Sequence, residues 1–227
     1  MDADQPIFYY DLGSPACYLV AERIMSELPI VPEWEPVLGA SLGALVGAPP
    51  DAPGGAPGGA PRRASVGGRP GAGDCDLSAR GLIERRATEL ELQPMRWPTA
   101  WPPDTREAML AATYAKRVGR AVAFSLAAFR QAFAGGRDLG ERDTVLIAAA
   151  ACEMHPTAVL KGIALRSVTS ALDQAVQRAG VAGVSALPAI QVGELVFEGD
   201  RCVEDAALAL GAGVRSPGAG GGLRADA

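Results

Sequence analysis

The stretch from Ile7 to Glu22 constrains this chain most: a short apolar strand runs into a tight turn and then an amphipathic helix. Ile7, Phe8, Tyr9 and Tyr10 are the β-branched and aromatic types that fit a buried strand. Asp11 and Gly13 mark the turn. Ser14 is a favourable N-cap, and Pro15 occupies the first helical position, where its missing N–H costs nothing. The start of such a helix offers free backbone N–H groups and the positive end of a dipole. A hydroxyl placed there can hold or polarise an anion, a thiolate included. By itself, however, a Ser-Pro pair is most often a helix cap and nothing more.

Two further stretches extend the pattern. Ile30 to Val37 alternates like a second strand, and the strand–helix–strand order predicts a parallel crossover. Gly180 to Arg201 reads as loop, strand, turn and strand, with Pro188 at a strand's first position, where proline is tolerated. Ser14-Pro15-Ala16-Cys17 resembles the Cys-Pro-x-Cys turn of thioredoxin-like oxidoreductases, with Ser14 in place of the first cysteine. Pro188 resembles the cis-proline loop of the same superfamily. Phe8-Tyr9-Tyr10-Asp11, Ser14-Pro15, Leu19 and the run Phe197-Glu198-Gly199-Asp200-Arg201 are similar to the DsbA-like branch. Within that branch these residues resemble the motifs of 2-hydroxychromene-2-carboxylate isomerases and kappa-class glutathione transferases. The resemblance implies an α/β, thioredoxin-like fold with a helical insertion domain.

Along the chain, this predicts a first thioredoxin-like part over 1–38, a Gly/Pro/Ala-rich flexible loop over 39–75, a helical insertion over 76–166, a second thioredoxin-like part over 167–210, and a disordered tail over 211–227. The loop contains the repeat Ala52 to Pro61, a composition that buries too little apolar surface to offset its ordering entropy. Order is expected to resume near Asp76. Pro94 to Pro103, with Trp97 and Trp101, breaks the helical pattern. The two tryptophans fit equally a substrate pocket, together with Tyr10, or a wedge between helices. The lone His155 precedes Pro156 with no cysteine or carboxylate cluster beside it, which favours a cap or loop role and no metal site.

Composition excludes several functions. The formal net charge of −5 argues against a general nucleic-acid or anionic-membrane binder. No apolar run reaches the length of a bilayer span. The first residues lead straight into β-type sequence without a basic, apolar signal, so a cytoplasmic location is expected. The four cysteines, Cys17, Cys75, Cys152 and Cys202, lack metal spacing and read as free thiols.

With a single cysteine in the motif, a two-cysteine disulfide cycle there is excluded. The resemblance implies instead that another molecule's thiol is bound, glutathione as cosubstrate in those families. Ser14 would stabilise the thiolate. Leu187, before Pro188, would offer its backbone to the cysteinyl group, and Gly199 and Asp200 would hold the γ-glutamyl end. The reaction implied is a thiol-dependent isomerisation or transfer acting on a small electrophilic or unsaturated oxo-acid substrate, with a homodimer left open. Two other readings stand beside it: a redox protein using Cys17 alone, and a non-catalytic thioredoxin-like binding module. The sequence departs from the families in three places. Ser78 and Arg80 stand where a lysine is usual, Asp104 or Thr105 where an asparagine is usual, and Ser185-Ala186-Leu187 where a glycine precedes Val-Pro.

Overall fold

The computed structural model describes residues 5–46 and 72–213. Its centre is a four-stranded sheet in the order β2-β1-β3-β4, with β1 at Ile7–Tyr10, β2 at Glu33–Pro36, β3 at Ala189–Val192 and β4 at Leu195–Glu198. β1 pairs with β2 in parallel, Tyr9 opposite Glu35; β3 pairs antiparallel with β1 and with β4. The parallel pair needs a crossover, and α1, Pro15–Glu27, supplies it.

Residues alternate across a strand, so Phe8, Tyr10 and Trp34 share one face while Tyr9 and Glu35 share the other. The first face is an aromatic core. Trp34 meets Phe8 edge-on at 5.1 Å between ring centroids, and Tyr10 tilts onto Phe129 at 5.9 Å. Phe129 belongs to α5, Ala121–Phe133, which packs along α1. Tyr10 is fully buried, and its hydroxyl lies 2.6 Å from that of buried Ser125. A phenol there is satisfied, as a buried polar group must be.

The second face carries charge. Buried Glu35 accepts from Lys116 of α4, Arg106–Arg117, at 2.6 Å and from Arg178 of α8, Arg166–Val181, at 3.3 Å. These pairs fasten α4 and α8 to β2. α9, Cys202–Gly213, lies beside α1, and the nearly buried Arg23 of α1 reaches Glu204 of α9 at 2.9 Å.

Two stretches of the expected loop differ from the sequence expectation. Gly39–Val46 forms a helix, α2, where a loop was expected; it packs against α8, and a Cβ on Gly180 would fall 2.6 Å from Leu45. Tertiary packing thus supports a Gly- and Ala-rich segment that composition alone assigns to coil. α3 begins at Ala72, before the expected Asp76, and runs to Glu89. The rest of the loop, 47–71, and the tail beyond 213 lie outside the described residues. α6, Arg142–Ala151, and α7, Pro156–Ile163, complete the helical block. His155 caps α7 by accepting the Thr157 N–H at 3.2 Å. No helix among the described residues is long and apolar enough to cross a membrane, and none of their side chains form a metal-binding group.

Candidate functional site

The end of β1 and the start of α1 open onto a cleft of about 450 Å³. Four segments form its walls: Asp11 to Ser14, the first turns of α2, the Pro102–Thr105 loop, and Ser185 to Leu187. Ser14 is the N-cap predicted from the sequence. Its Oγ accepts the Cys17 N–H at 3.2 Å, and its own carbonyl receives the Tyr18 N–H at 3.1 Å. A hydroxyl that accepts through oxygen still has its hydrogen to give, either to the Cys17 thiol, with which Ser14 interacts, or to a ligand in the cleft.

Cys17, one turn below, is fully buried, and burial pushes its thiol up to about 12. At neutral pH it is a protonated thiol, the inert form. Cys202 is also fully buried and pushed up to about 12 by the same desolvation.

Asp11 organises the floor. Its Oδ1 accepts from the Gly13 N–H at 2.8 Å and from the Thr105 hydroxyl at 3.1 Å, and its Oδ2 accepts from the Gly39 N–H at 2.8 Å. One carboxylate therefore joins the β1–α1 turn, the start of α2 and the start of α4. Asp104 and Thr105, at the place of the missing asparagine, divide the work. Asp104, just ahead of α4, accepts the Arg106 N–H at 3.1 Å, and Thr105, the N-cap residue, faces the cleft.

The opposite wall is fixed by Glu198 of β4. Its carboxylate accepts the backbone N–H groups of Ser185, at 2.5 Å, and Ala186, at 3.0 Å, and the Ser185 hydroxyl at 2.8 Å. Burial works against the charged form, but these donors outweigh it and hold the carboxyl below the usual range. The Leu187–Pro188 peptide is cis, and Leu187 lines the cleft.

Not every residue singled out from sequence reaches the cleft. Pro188 is buried behind Leu187, its carbonyl accepting the Gly199 N–H at 3.0 Å. Gly199 adopts φ +79 in the tight turn before α9. Asp200 is exposed on that turn, and its carbonyl accepts from Arg23 at 2.7 Å; neither residue is among those lining the cleft. Tyr10 is no pocket residue, being sealed in the aromatic core. Trp97 and Trp101 are half-buried and are not among the residues lining the cleft. Their rings meet edge-on at 5.2 Å and both lean on Phe133, while the Trp97 indole donates to Glu84 at 2.6 Å. Arg80, one of the two residues at the place of the usual lysine, lies 4.9 Å above the Trp97 ring. Conversely, sequence reasoning missed Asp11 and Glu198 as scaffolds and Gly39 as a wall. Asp11 carried a signal, since aspartate commonly bonds its own backbone two residues on, as it does with Gly13 here.

No family model matches the sequence, and no curated protein matches it. Solved structures do. A 2-hydroxychromene-2-carboxylate isomerase superposes with a TM-score of 0.72 at 16% identity, over 92% of this chain and 96% of the other. The fold is that of the DsbA-like thioredoxin proteins. A probable DsbA oxidoreductase from Streptomyces coelicolor follows at TM-score 0.67 and 15% identity, over 94% of this chain and 92% of that one. The cytosolic disulfide reductase DsbM from Pseudomonas aeruginosa, solved with GSH, gives 0.59 and 12%, over 93% and 100%. Within this thioredoxin-like fold, the cleft lies where the first helix begins and the cis-proline loop approaches it.

Proposed function

We propose that the chain is a thiol-dependent isomerase or transferase, using glutathione or another low-molecular-weight thiol as cosubstrate. The observation that carries this reading is Ser14. Its hydroxyl stands at the helix N-terminus on the cleft wall with a hydrogen to donate, while the motif's only cysteine is sealed beneath it. A protein without an accessible thiol at that turn is suited to activate a thiol brought from outside. The structure of DsbM with GSH is a precedent for a thiol ligand on this fold, and the isomerase fold likeness is a precedent for the reaction class.

In the proposed mechanism, the thiol lies across the turn with its backbone along Leu187, which presents an edge as a strand does to an extended peptide. Gly199 and Asp200 stand outside the cleft lining, so a γ-glutamyl group held by them would extend beyond its wall. The Ser14 hydroxyl donates to sulfur, and the α1 dipole favours the thiolate. The sulfur lone pair then forms a bond to an electron-poor carbon, displacing electrons onto the substrate. For an isomerase, the bond to the adjoining carbon rotates and the thiolate leaves. For a transferase, the thioether remains and the displaced electrons take a proton or depart with the leaving group.

The buried, protonated Cys17 counts against a redox protein that uses this thiol alone. The test is turnover of a small electrophile by wild type, Cys17→Ala and Ser14→Ala in the presence of thiol. The proposal expects activity in Cys17→Ala and its loss in Ser14→Ala. Loss in Cys17→Ala with intact Ser14→Ala would establish the monothiol reading instead, and a wild type that neither turns over nor binds thiol would establish a binding module.

A further inference from the structure

Ser14 and Ser185 both line the cleft, and their hydroxyls are committed in opposite senses. At Ser14 the oxygen is the occupied end: it accepts the Cys17 N–H, and the hydrogen remains to be given. At Ser185 the hydrogen is the occupied end. Glu198 of β4 takes it on Oε2 at 2.8 Å. The other carboxylate oxygen, Oε1, accepts the backbone N–H groups of Ser185 and Ala186.

This arrangement fixes the polarity of one wall. The three donors keep the Glu198 carboxyl below its usual range, so at neutral pH it is ionised and can only accept. The Ser185 hydrogen therefore points at Glu198, and what the hydroxyl has left for a ligand is its lone pairs. A hydrogen bond to a charged acceptor is roughly twice as strong as a neutral one. A ligand carbonyl pressed against Ser185 would meet lone pairs or have to break that bond, whereas a ligand N–H would meet an acceptor already in place.

We infer that Ser185 is a specificity-determining acceptor and that Glu198 positions its hydroxyl, so that the cleft selects thiols carrying an amide N–H over tertiary-amide thiols of the same outline. The inference rests on the reading of the cleft as a thiol site.

The test is calorimetric binding of N-acetylcysteamine and its N-methyl homologue, two uncharged thiols, to wild type, Ser185→Ala and Glu198→Gln. Wild type is expected to bind the N–H thiol about three- to tenfold more tightly, the net worth of one hydrogen bond. In Ser185→Ala the N–H thiol should weaken by that factor and the N-methyl thiol should not. Glu198→Gln keeps an oxygen for the two backbone donors and sets an NH₂ group against Ser185 Oγ, which turns the hydroxyl hydrogen towards the ligand. The preference should then disappear, while amide exchange at Ser185 and Ala186 stays as in wild type. Equal binding of the two thiols by wild type, or the wild-type ratio persisting in either variant, would overturn the inference and leave the thiol site standing. A persisting ratio in Ser185→Ala would give the ligand N–H to another acceptor, and one in Glu198→Gln would reduce Glu198 to a structural role. Failure of both thiols to bind wild type would overturn both readings.

Discussion

Replacing Ser14 by alanine removes two things whose sizes differ, and this makes the substitution informative. As an N-cap, Ser14 accepts the Cys17 N–H, and losing such a cap costs about 1 kcal/mol. For a chain of this length that lowers Tm by about 2–4 °C, so the variant stays folded. As a donor to a thiolate, the hydroxyl makes a hydrogen bond to a charged acceptor, worth about 1.5–3 kcal/mol. The cleft is open to water, so the lower end applies, and at about 1.4 kcal/mol per pKa unit the bound thiol should rise by about 1–1.5 units. The pKa is read from thiolate absorbance of the bound thiol across pH. At pH values below the wild-type bound pKa the thiolate fraction, and any rate that depends on it, should fall about ten- to thirtyfold. Above the raised pKa the difference should vanish. Ser14→Gly costs only a few tenths of a kcal/mol as a cap yet should show the same pKa rise, and Ser14→Thr should show neither change. An identical bound-thiol pKa in Ser14→Ala and wild type would refute the assignment of the hydroxyl to sulfur.

Other consequences are independent of the thiol. Tyr10→Phe orphans the buried Ser125 hydroxyl and should cost about 1–3 kcal/mol in denaturant unfolding, with thiol affinity unchanged because Tyr10 is outside the cleft. Cys17 and Cys202 have thiols raised from 9.0 to about 12. Their contribution to stability is therefore complete below pH 9 and is lost as pH rises towards 12; unfolding curves across that window should show it, and neither thiol should alkylate in the native state at neutral pH. Glu198 has the opposite sign, its carboxyl being held below the ordinary 4.5. The order it gives the Ser185–Leu187 wall should persist above that value and be lost as pH falls below it. Glu198→Ala should reproduce the loss at neutral pH, seen as faster amide exchange at Ser185 and Ala186.

What was legible in the sequence was local. The Ser14-Pro15 cap, the β-type run from Ile7 to Tyr10 and the alternation around Trp34 are encoded within a few residues, and the structure bears them out. α1 begins at Pro15, the expected first helical position. What was not legible depended on partners distant in the chain. Gly39–Val46 carries poor intrinsic signals and is helical because it packs on α8. Tyr10 looks like a pocket residue until Ser125, more than a hundred positions away, takes its hydroxyl. The Asp11–Thr105 contact and the hold of Glu198 on Ser185 are likewise set by tertiary placement. Trp97 and Trp101 fit either role by composition, and their contacts with Phe133 and Glu84 likewise depend on residues distant in the chain.

The central claim is that the cleft binds an external thiol as its thiolate. Calorimetric titration of a low-molecular-weight thiol into the protein, repeated in buffers of different ionisation enthalpy at a pH below the free thiol's pKa, tests this most directly. Saturable binding should release close to one proton per chain, and the S-methyl derivative should bind more weakly with no proton release. Binding without proton release, or no binding at millimolar thiol, would contradict the account.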